Sequence, residues 1–150
     1  MTDFMTDLQK AKELLENGSF TCVLCRDGQT FKSTKAGISP MLDYIAEGID
    51  LSGFSAADKI VGKAAAMLFA LAGVKALHAQ TLSRSAEEIL RMHRIQYTYD
   101  IRTEGIINRR GDGLCPMEQA VASIENTDLQ GAYKALCEKQ AELRKGVHGL

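Results

Sequence analysis

The chain has no tryptophan and few other aromatic side chains, with five Phe and four Tyr among its 150 residues. Surfaces that stack the bases of single-stranded nucleic acid depend on such side chains. Net charge is almost absent as well, because 18 lysines and arginines face 19 aspartates and glutamates. A net charge of −1 gives no overall field that would attract nucleic acid or an anionic membrane. We therefore expect neither partner, and any anion recognition must be local.

Long apolar runs are also missing. The longest, IVGKAAAMLFALAGV at 60–74, is interrupted by Lys63 and falls short of the roughly 20 residues that a membrane span needs. The first residues, MTDFMTDLQKAKELLENG, lack the basic region followed by an apolar run that marks a secretory signal. These features predict a cytoplasmic protein whose four cysteines are reduced thiols.

The cysteines do not form a recognisable metal motif. Cys22 and Cys25 have CxxC spacing, but SFTCVLCRDG reads as a strand that runs into a turn. Residues three apart on a strand point to opposite faces, so these two thiols are not expected to share one ion. No second CxxC or neighbouring histidine completes a zinc set. We interpret both thiols, and Cys137 within a helix, as small buried hydrophobes, and expect no metal and no cofactor.

The size of the chain and its pattern of apolar residues predict one α/β domain over 1–150, with a core at about 4–145. A hairpin followed by helix, strand, helix and strand implies a mixed sheet with helices on both faces. The predicted elements are a helix with Phe4, Leu8, Ala11 and Leu15 on one side, an antiparallel hairpin of 20–25 and 29–33 around Asp27-Gly28, a short helix from Ser39-Pro40 to Gly48, a long helix over 55–73, a strand over 75–82, a helix over 85–94, a strand over 95–101, and helices from Pro116 and from Thr127.

Ligands in such folds lie where helix N-termini meet the carboxyl ends of strands. The first such place is the start of the long helix, where Ser55 and Asp58 have the spacing of a capping pair. Lys59 would sit in the first turn and oppose the helix dipole, with Lys63 one turn further on the same face. Both lysines therefore indicate a nearby anion, although a structural ion pair would give the same pattern. Gly62, between them, suggests a close approach of another group to the backbone, and a packing role would explain it equally well.

The second helix start, with Ser85 and Glu88, shows only the spacing of another capping pair. The third is GDGLCPMEQA at 111–120, in which Cys115 falls at the N-cap, Pro116 at N1 and Glu118 at N3. Cysteine is a poor cap, but a helix N-terminus lowers the pKa of a thiol. The loop before it carries Asn108, Arg109, Arg110, Gly111, Asp112 and Gly113.

Two interpretations of this third stretch remain open. Glycines and aspartate in a turn can expose backbone N–H groups that hold an anion, with Cys115 as a semi-reactive thiol. Alternatively, the stretch is an ordinary capped surface turn. No histidine is an obvious base for Cys115, since His78 falls in a predicted strand, His93 at the end of a predicted helix and His148 in the predicted C-terminal tail.

Three stretches of the chain resemble an uncharacterised prokaryotic family of unknown function that is placed in the cytidine-deaminase-like fold. They are TCVLCRDGQTFKSTKAGISPMLDYI, SAADKIVGKAAAMLFALAGVKALHAQTLSRSAEEILRMHRI and INRRGDGLCPMEQAV. The resemblance runs from about Leu8 to Leu136, and DKIVGKAAA and GLCPMEQAV are its most specific parts. It implies a three-layer α/β/α sandwich with a mixed sheet, which agrees with the order of the predicted elements.

The resemblance also implies that the zinc ligands of the deaminases are missing. Where those enzymes have His-x-Glu at a helix start, this chain has Ala57-Asp58-Lys59. Thr81-Leu82 is retained before the next helix, but Ser85 and Glu88 stand at the two cysteine positions. Hydrolytic deamination needs that ligand set and a glutamate as acid and base, so we do not expect it. A hard-ion site made of Asp58, Glu88 and Glu118 is a weaker alternative.

Our leading hypothesis is a zinc-less deaminase-fold protein that binds a small anionic ligand, such as a nucleotide or a phosphorylated metabolite. An enzyme that uses Cys115 or Lys63 in chemistry without zinc is one alternative. A structural protein that forms a homo-oligomer, most simply a dimer, through the sheet edge or an apolar helix face is another. The predicted ligand-binding residues are Asp58, Lys59, Lys63, Asn108, Arg109, Asp112, Cys115 and Glu118.

Overall fold

The computed structural model describes residues 6–148, so the predicted helical position of Phe4 lies outside the described residues. Six helices and five strands follow one another along this part of the chain. In chain order they are α1 (Asp7–Asn17), β1 (Cys22–Arg26), β2 (Gln29–Ser33), α2 (Ser39–Ala46), β3 (Ser55–Val61), α3 (Lys63–Ala72), β4 (Ala76–Ser83), α4 (Arg84–Met92), β5 (Gln96–Thr103), α5 (Pro116–Val121) and α6 (Leu129–His148).

The five strands form one mixed sheet in the order β2-β1-β3-β4-β5. The predicted hairpin is confirmed, and β1 pairs antiparallel with both β2 and β3. Strands β3, β4 and β5 are parallel to one another and are joined through α3 and α4. The carboxyl ends of these three strands therefore lie at the same end of the sheet.

Helices cover both faces of the sheet, which gives the predicted three-layer α/β/α sandwich. Helix α1 packs on β1 and β3 through a small core that includes Ala11, Leu15 and Ala57. The larger core lies on the other face, against the remaining helices. Cys22 belongs to the larger core and Cys25 to the smaller one. The prediction that these two thiols face opposite ways as buried hydrophobes is thus confirmed.

The prediction of one long helix over 55–73 is wrong in its first half. Ser55–Val61 forms the central strand β3, Gly62 is the N-cap, and helix α3 begins only at Lys63. Alanine, aspartate and lysine in this stretch have no strong strand preference, but a central strand takes its stability from partners on both sides. Since Ser55 and Asp58 lie within the strand, the predicted capping pair does not exist.

The cap of helix α4 also differs from the prediction. Ser83 is the N-cap, and its hydroxyl accepts a hydrogen bond from the backbone N–H of Ala86. Ser85 lies within the helix and Glu88 is exposed, so these two residues are not a capping pair. The short helix α2, the strands β4 and β5 and the helix starts at 116 and near 127 agree with the predictions to within a few residues.

Near the carboxyl ends of β3 and β4, the regular alternation of side chains between the two faces of the sheet is interrupted. Val61 and Leu82 lie in the same core as Ala56 and Ala79, although the separations are odd numbers of residues. A regular strand would place such residues on opposite faces. The ladder between β3 and β4 omits the pair that follows Asp58. This irregularity buries Asp58 and Val61 and leaves the two residues between them exposed.

No helix within residues 6–148 is both long enough and apolar enough to cross a membrane.

Candidate functional site

A shallow groove lies between the segment that follows β5 and the start of α5. Its open volume is about 360 Å³. One wall is a loop at 107–114, here called the arginine loop, which is closed by an antiparallel bridge between Ile107 and Leu114. The residues that line the groove are Ile107, Asn108, Arg109, Arg110, Cys115 and Pro116.

Asn108 holds the arginine loop together. Its side-chain oxygen accepts hydrogen bonds from the backbone N–H groups of Gly111 and Asp112, at 2.8 and 3.3 Å. Its amide nitrogen donates to the Asp112 carboxylate over 2.9 Å. Gly111 adopts φ = +76°, a left-handed conformation that glycine tolerates best. Asn108 and Asp112 therefore shape the loop, and the N–H groups of Gly111 and Asp112, which are among those expected to hold an anion, already have a partner.

Arg109 and Arg110 are exposed on this loop. Neither guanidinium lies within 4.0 Å of a carboxylate in the part of the chain that the structure describes. Asp112, the nearest acid in sequence, is bound to Asn108 instead. Two cations side by side without acidic partners attract anions, and a guanidinium binds phosphate or carboxylate with two parallel hydrogen bonds.

Cys115 stands at the end of the groove as the N-cap of α5, as predicted, but its side chain makes no capping hydrogen bond. The thiol is half-buried. The turn before it is held by the backbone, because the Cys115 N–H donates to the Ile106 carbonyl over 2.9 Å. The Gln119 amide donates to the Leu114 carbonyl over 2.8 Å. A catalytic role for Cys115 stays a hypothesis.

Glu118 has a role that the sequence did not indicate. It occupies the first turn of α5 as predicted, yet its buried carboxylate caps a different helix. One oxygen accepts from the backbone N–H of Lys63 and the other from that of Ala64, both over 2.8 Å. These are two of the N–H groups at the start of α3 that have no partner within that helix. The place where an external anion was expected therefore holds a carboxylate of the chain itself.

Gly62 makes this contact possible. A Cβ atom at position 62 would lie 2.3 Å from the Glu118 Oε1 atom and 2.8 Å from the Ile106 Cγ1 atom. Gly62 has φ = −101°, so the requirement is for space and not for an unusual backbone angle. The sequence interpretation of Gly62 as a point of close approach is confirmed, and the approaching group is Glu118.

The two lysines do not share a helix face. Lys59 is an exposed residue of β3, whereas Lys63 is the first residue of α3. The Lys63 ammonium donates to the Ile124 carbonyl over 2.8 Å, which gives it a structural partner. The comparison of Ala57-Asp58-Lys59 with a helix start is wrong for the same reason, because these residues lie inside a strand. A catalytic role for Lys63 stays a hypothesis.

Asp58 is buried in the middle of β3, beside its pairing partner Cys22 on β1. Burial raises the pKa of the Asp58 carboxyl well above its usual range, although backbone N–H groups of Lys59 and Ile60 bond to it and act in the opposite direction. Burial and the neighbouring Asp58 also raise the pKa of the Cys22 thiol. Asp58, Glu88 and Glu118 do not come together as a set of metal ligands among the described residues.

The comparisons with known proteins place most of the chain in one family. The model of a family described as "Domain of unknown function (DUF1893)" matches residues 10–140, which bears out the expectation of a family of unknown function. No curated protein sequence matches the chain.

Solved structures support the fold. The crystal structure of a DUF1893 family protein (TM1506) from Thermotoga maritima is similar with a TM-score of 0.80 and 22% identity, over 91% of this chain and 92% of that one. At this identity the similarity shows the fold alone. A deaminase/reductase from Thermotoga maritima, named as a diaminohydroxyphosphoribosylaminopyrimidine deaminase and 5-amino-6-(5-phosphoribosylamino)uracil reductase, has a TM-score of 0.39 and 18% identity over 61% of this chain and 34% of that one. That score is too low to support the expected link to the deaminases.

Proposed function

The chain belongs to the DUF1893 family, and we propose that it binds a small anionic ligand, such as a nucleotide or a phosphorylated metabolite, in the groove beside the arginine loop. The observation that carries this proposal is the pair of exposed arginines, Arg109 and Arg110, which have no acidic partner among the described residues and line a groove. A relation to the cytidine-deaminase-like fold, without its zinc, and a cytoplasmic location stay predictions.

The groove is a better place for the anion than the start of α3. Glu118 already accepts hydrogen bonds from two N–H groups there, and its negative charge would repel a second negative group. On the arginine loop the cations are exposed and the Asn108 side chain holds the backbone in one shape. A preformed loop binds with less loss of conformational entropy than a flexible one. Direct roles for Asp58, Lys59 and Lys63 in ligand binding remain hypotheses.

Anion binding should appear as a rise in melting temperature. We expect ATP, AMP or ribose 5-phosphate to stabilise the protein in a thermal-shift assay, since a ligand that binds only the folded state shifts the unfolding equilibrium. The double variant Arg109→Ala/Arg110→Ala should lose that shift. Because both side chains are exposed, the variant should melt in the absence of ligand within a few degrees of the natural chain.

The matched control is Arg144→Ala, which removes the same kind of exposed side chain from helix α6 and should leave the shift intact. If none of the three compounds stabilises the natural chain, or if the double variant responds as strongly as the natural chain does, the groove is not an anion site.

Self-association through β5 is a second candidate function, and a specific observation favours it. Strand β5 is an edge of the sheet, and most of its eight residues are exposed. They include Ile101, at 62% exposure, and Tyr99, at 41%. An open edge with exposed apolar side chains is suited to pairing with another strand, which a soluble monomer normally avoids.

We expect light scattering coupled to size exclusion to give the mass of a dimer if this edge pairs with a second copy. Ile101→Lys should then shift the protein to the monomer, because a charge on the edge opposes strand pairing. Lys75→Glu, an exposed change outside β5, serves as the control. A natural chain that elutes as a monomer at about 100 μM would exclude a stable dimer.

A further inference from the structure

Three side chains with metal-binding atoms meet on the face of the sheet that carries α1. Glu16 comes from the last turn of α1, His78 from β4 and Asp100 from β5. One nitrogen or oxygen of each lies within 4.8 Å of the others. His78 is buried, whereas Glu16 and Asp100 are exposed. The cluster thus has a buried base within the sheet and two exposed carboxylates at the solvent.

The His78 ring is unusual because one of its nitrogens is satisfied and the other is not. Nδ1 lies 2.7 Å from the Thr98 hydroxyl. Nε2 is buried and has no hydrogen-bond partner among the described residues. It points toward the cluster, 3.4 Å from the Asp100 Oδ1 atom. Buried polar atoms normally form a hydrogen bond. His78 Nε2 forms none and has only the Asp100 carboxylate at ion-pair distance, so it is available to a ligand of another kind.

Thr98 orients the ring for this purpose. When Nδ1 carries the proton and donates to the Thr98 oxygen, Nε2 keeps its lone pair and directs it at Glu16 and Asp100. Histidines that bind metals usually use one ring nitrogen for the ion and donate a hydrogen bond from the other, which fixes both tautomer and orientation. His78 and Thr98 form such a pair. They lie opposite each other on the neighbouring strands β4 and β5, which hold both residues in place.

We propose that Glu16, His78 and Asp100 form a site for one divalent transition-metal ion, of which Zn²⁺ is the best match. An imidazole nitrogen with two carboxylates suits Zn²⁺ better than Ca²⁺ or Mg²⁺, which prefer oxygen ligands alone. Neutral His78 and the two carboxylates carry two negative charges, which balance the ion. Three protein ligands leave a fourth position of the tetrahedron open to water or to a small ligand.

The geometry allows the ion to be bound with little rearrangement. Two ligands at the usual distance of about 2.0–2.2 Å from a tetrahedral Zn²⁺ lie about 3.3–3.6 Å from each other. The His78 Nε2 and Asp100 Oδ1 atoms, 3.4 Å apart, already have this separation. The exposed side chains of Glu16 and Asp100 can rotate inward, whereas His78 stays fixed by Thr98 and the sheet. The bound ion would connect the end of α1 to β5. Of the three parallel strands, β5 lies furthest from that helix.

This site is independent of the proposed anion groove. It uses none of the residues that line the groove, and it lies on the α1 face, whereas α5 belongs to the layer on the other face. It also differs from the set of Asp58, Glu88 and Glu118 considered from the sequence.

The test is calorimetric titration of the full chain with Zn²⁺ after treatment with a chelator and its removal. We expect one ion per chain with a dissociation constant of about 10 μM or tighter. Glu16→Gln and Asp100→Asn should each weaken binding by at least about tenfold, since each removes one charged ligand. Both residues are exposed, so the variants should fold, and circular dichroism would verify this.

Two controls make the result specific. Glu13→Gln removes an exposed acid from the same helix and should leave the affinity unchanged. In ¹⁵N spectra of the histidine rings, Zn²⁺ should shift the Nε2 signal of His78 while its Nδ1 stays protonated. Absence of binding, equal affinity in all four proteins, or a His78 ring that carries both protons and does not respond to Zn²⁺ would each overturn the proposal.

Discussion

Replacing Glu118 with alanine is expected to lower the free energy of unfolding by about 2–4 kcal/mol. The carboxylate is buried and accepts hydrogen bonds from the N–H groups of Lys63 and Ala64. Its negative charge also stabilises the dipole of α3. Without it, two N–H groups at the start of a buried helix lose their partners. Urea denaturation of the natural chain and the variant would measure the loss.

Gly62→Ala tests the same contact from the opposite side. The added methyl group would lie 2.3 Å from the Glu118 Oε1 atom, so the carboxylate must leave its place. We expect a loss similar to that of Glu118→Ala. The double variant should lose less than the sum of the two single losses, because both changes remove the same two hydrogen bonds of Glu118. The contact of the added methyl group with Ile106 is the part that Gly62→Ala does not share.

Glu125→Ala is the control for a lost glutamate, since Glu125 is exposed and its removal should change stability by less than about 0.5 kcal/mol. A loss of that small size for Glu118→Ala would show that the cap contributes little. Losses for Gly62 and Glu118 that simply add would show that the two residues act independently.

Asp58→Asn is expected to stabilise the protein at neutral pH, in contrast to most changes of buried polar residues. Burial raises the pKa of Asp58 in the folded state above its value of about 3.9 in an unfolded chain. Between these two values the folded state binds more protons than the unfolded state does. Stability therefore falls as the pH rises from about 4 toward the folded pKa, with a slope of at most about 1.4 kcal/mol per pH unit for one proton.

The asparagine variant cannot ionise, so it should escape this loss while its amide oxygen still accepts hydrogen bonds from the backbone. Urea denaturation between about pH 4 and pH 8 would measure the free energy of unfolding of both proteins. The value for the variant should increase relative to that of the natural chain as the pH rises. A constant difference between the two across this range would mean that the folded state does not hold Asp58 protonated.

Asp50→Asn provides a control of opposite sign. Hydrogen bonds from Ser52 lower the pKa of the exposed Asp50 carboxyl. Its contribution to stability is present above about pH 4 and is lost as the pH falls through the folded pKa. The Asp50 variant should therefore be the less stable protein at neutral pH, with the difference disappearing in acid.

Local patterns predicted much of the fold. The turn at Asp27-Gly28 has Gly28 at φ = +85° and joins the two strands that the alternation around it predicts. Pro40 opens α2 and Pro116 opens α5, since proline fits the first turn of a helix, where its missing N–H is not needed. Each of these signals comes from a few adjacent residues, which is why sequence alone could predict them.

Strand β3 was mistaken for a helix because its residues carry little local information. Ser55, Ala56, Ala57 and Asp58 are all buried, so the alternation that marks a half-exposed strand is missing. Alanine has the highest helix propensity, and the true helix α3 follows directly. The one local signal was Gly62, which is poorly suited to a helix interior and marks the end of the strand.

The candidate sites were predicted only in part. The sequence indicated the polar loop before Cys115 and the close approach at Gly62, and the structure adds that Arg109 and Arg110 line a groove. The assignment of Glu118 to its own helix missed its capping of α3. That contact joins residues more than fifty positions apart, and no local pattern could indicate it.

The sequence by itself determined the α/β class, the hairpin, the alternation of elements and the opposite orientation of Cys22 and Cys25, because each depends on neighbouring residues and on the period of a strand or helix. The tertiary structure alone decided which anion occupies the start of α3 and which residues surround His78. Glu16, His78 and Asp100 belong to three separate elements, and they meet only because the sheet places β4 beside β5 and α1 packs across its face.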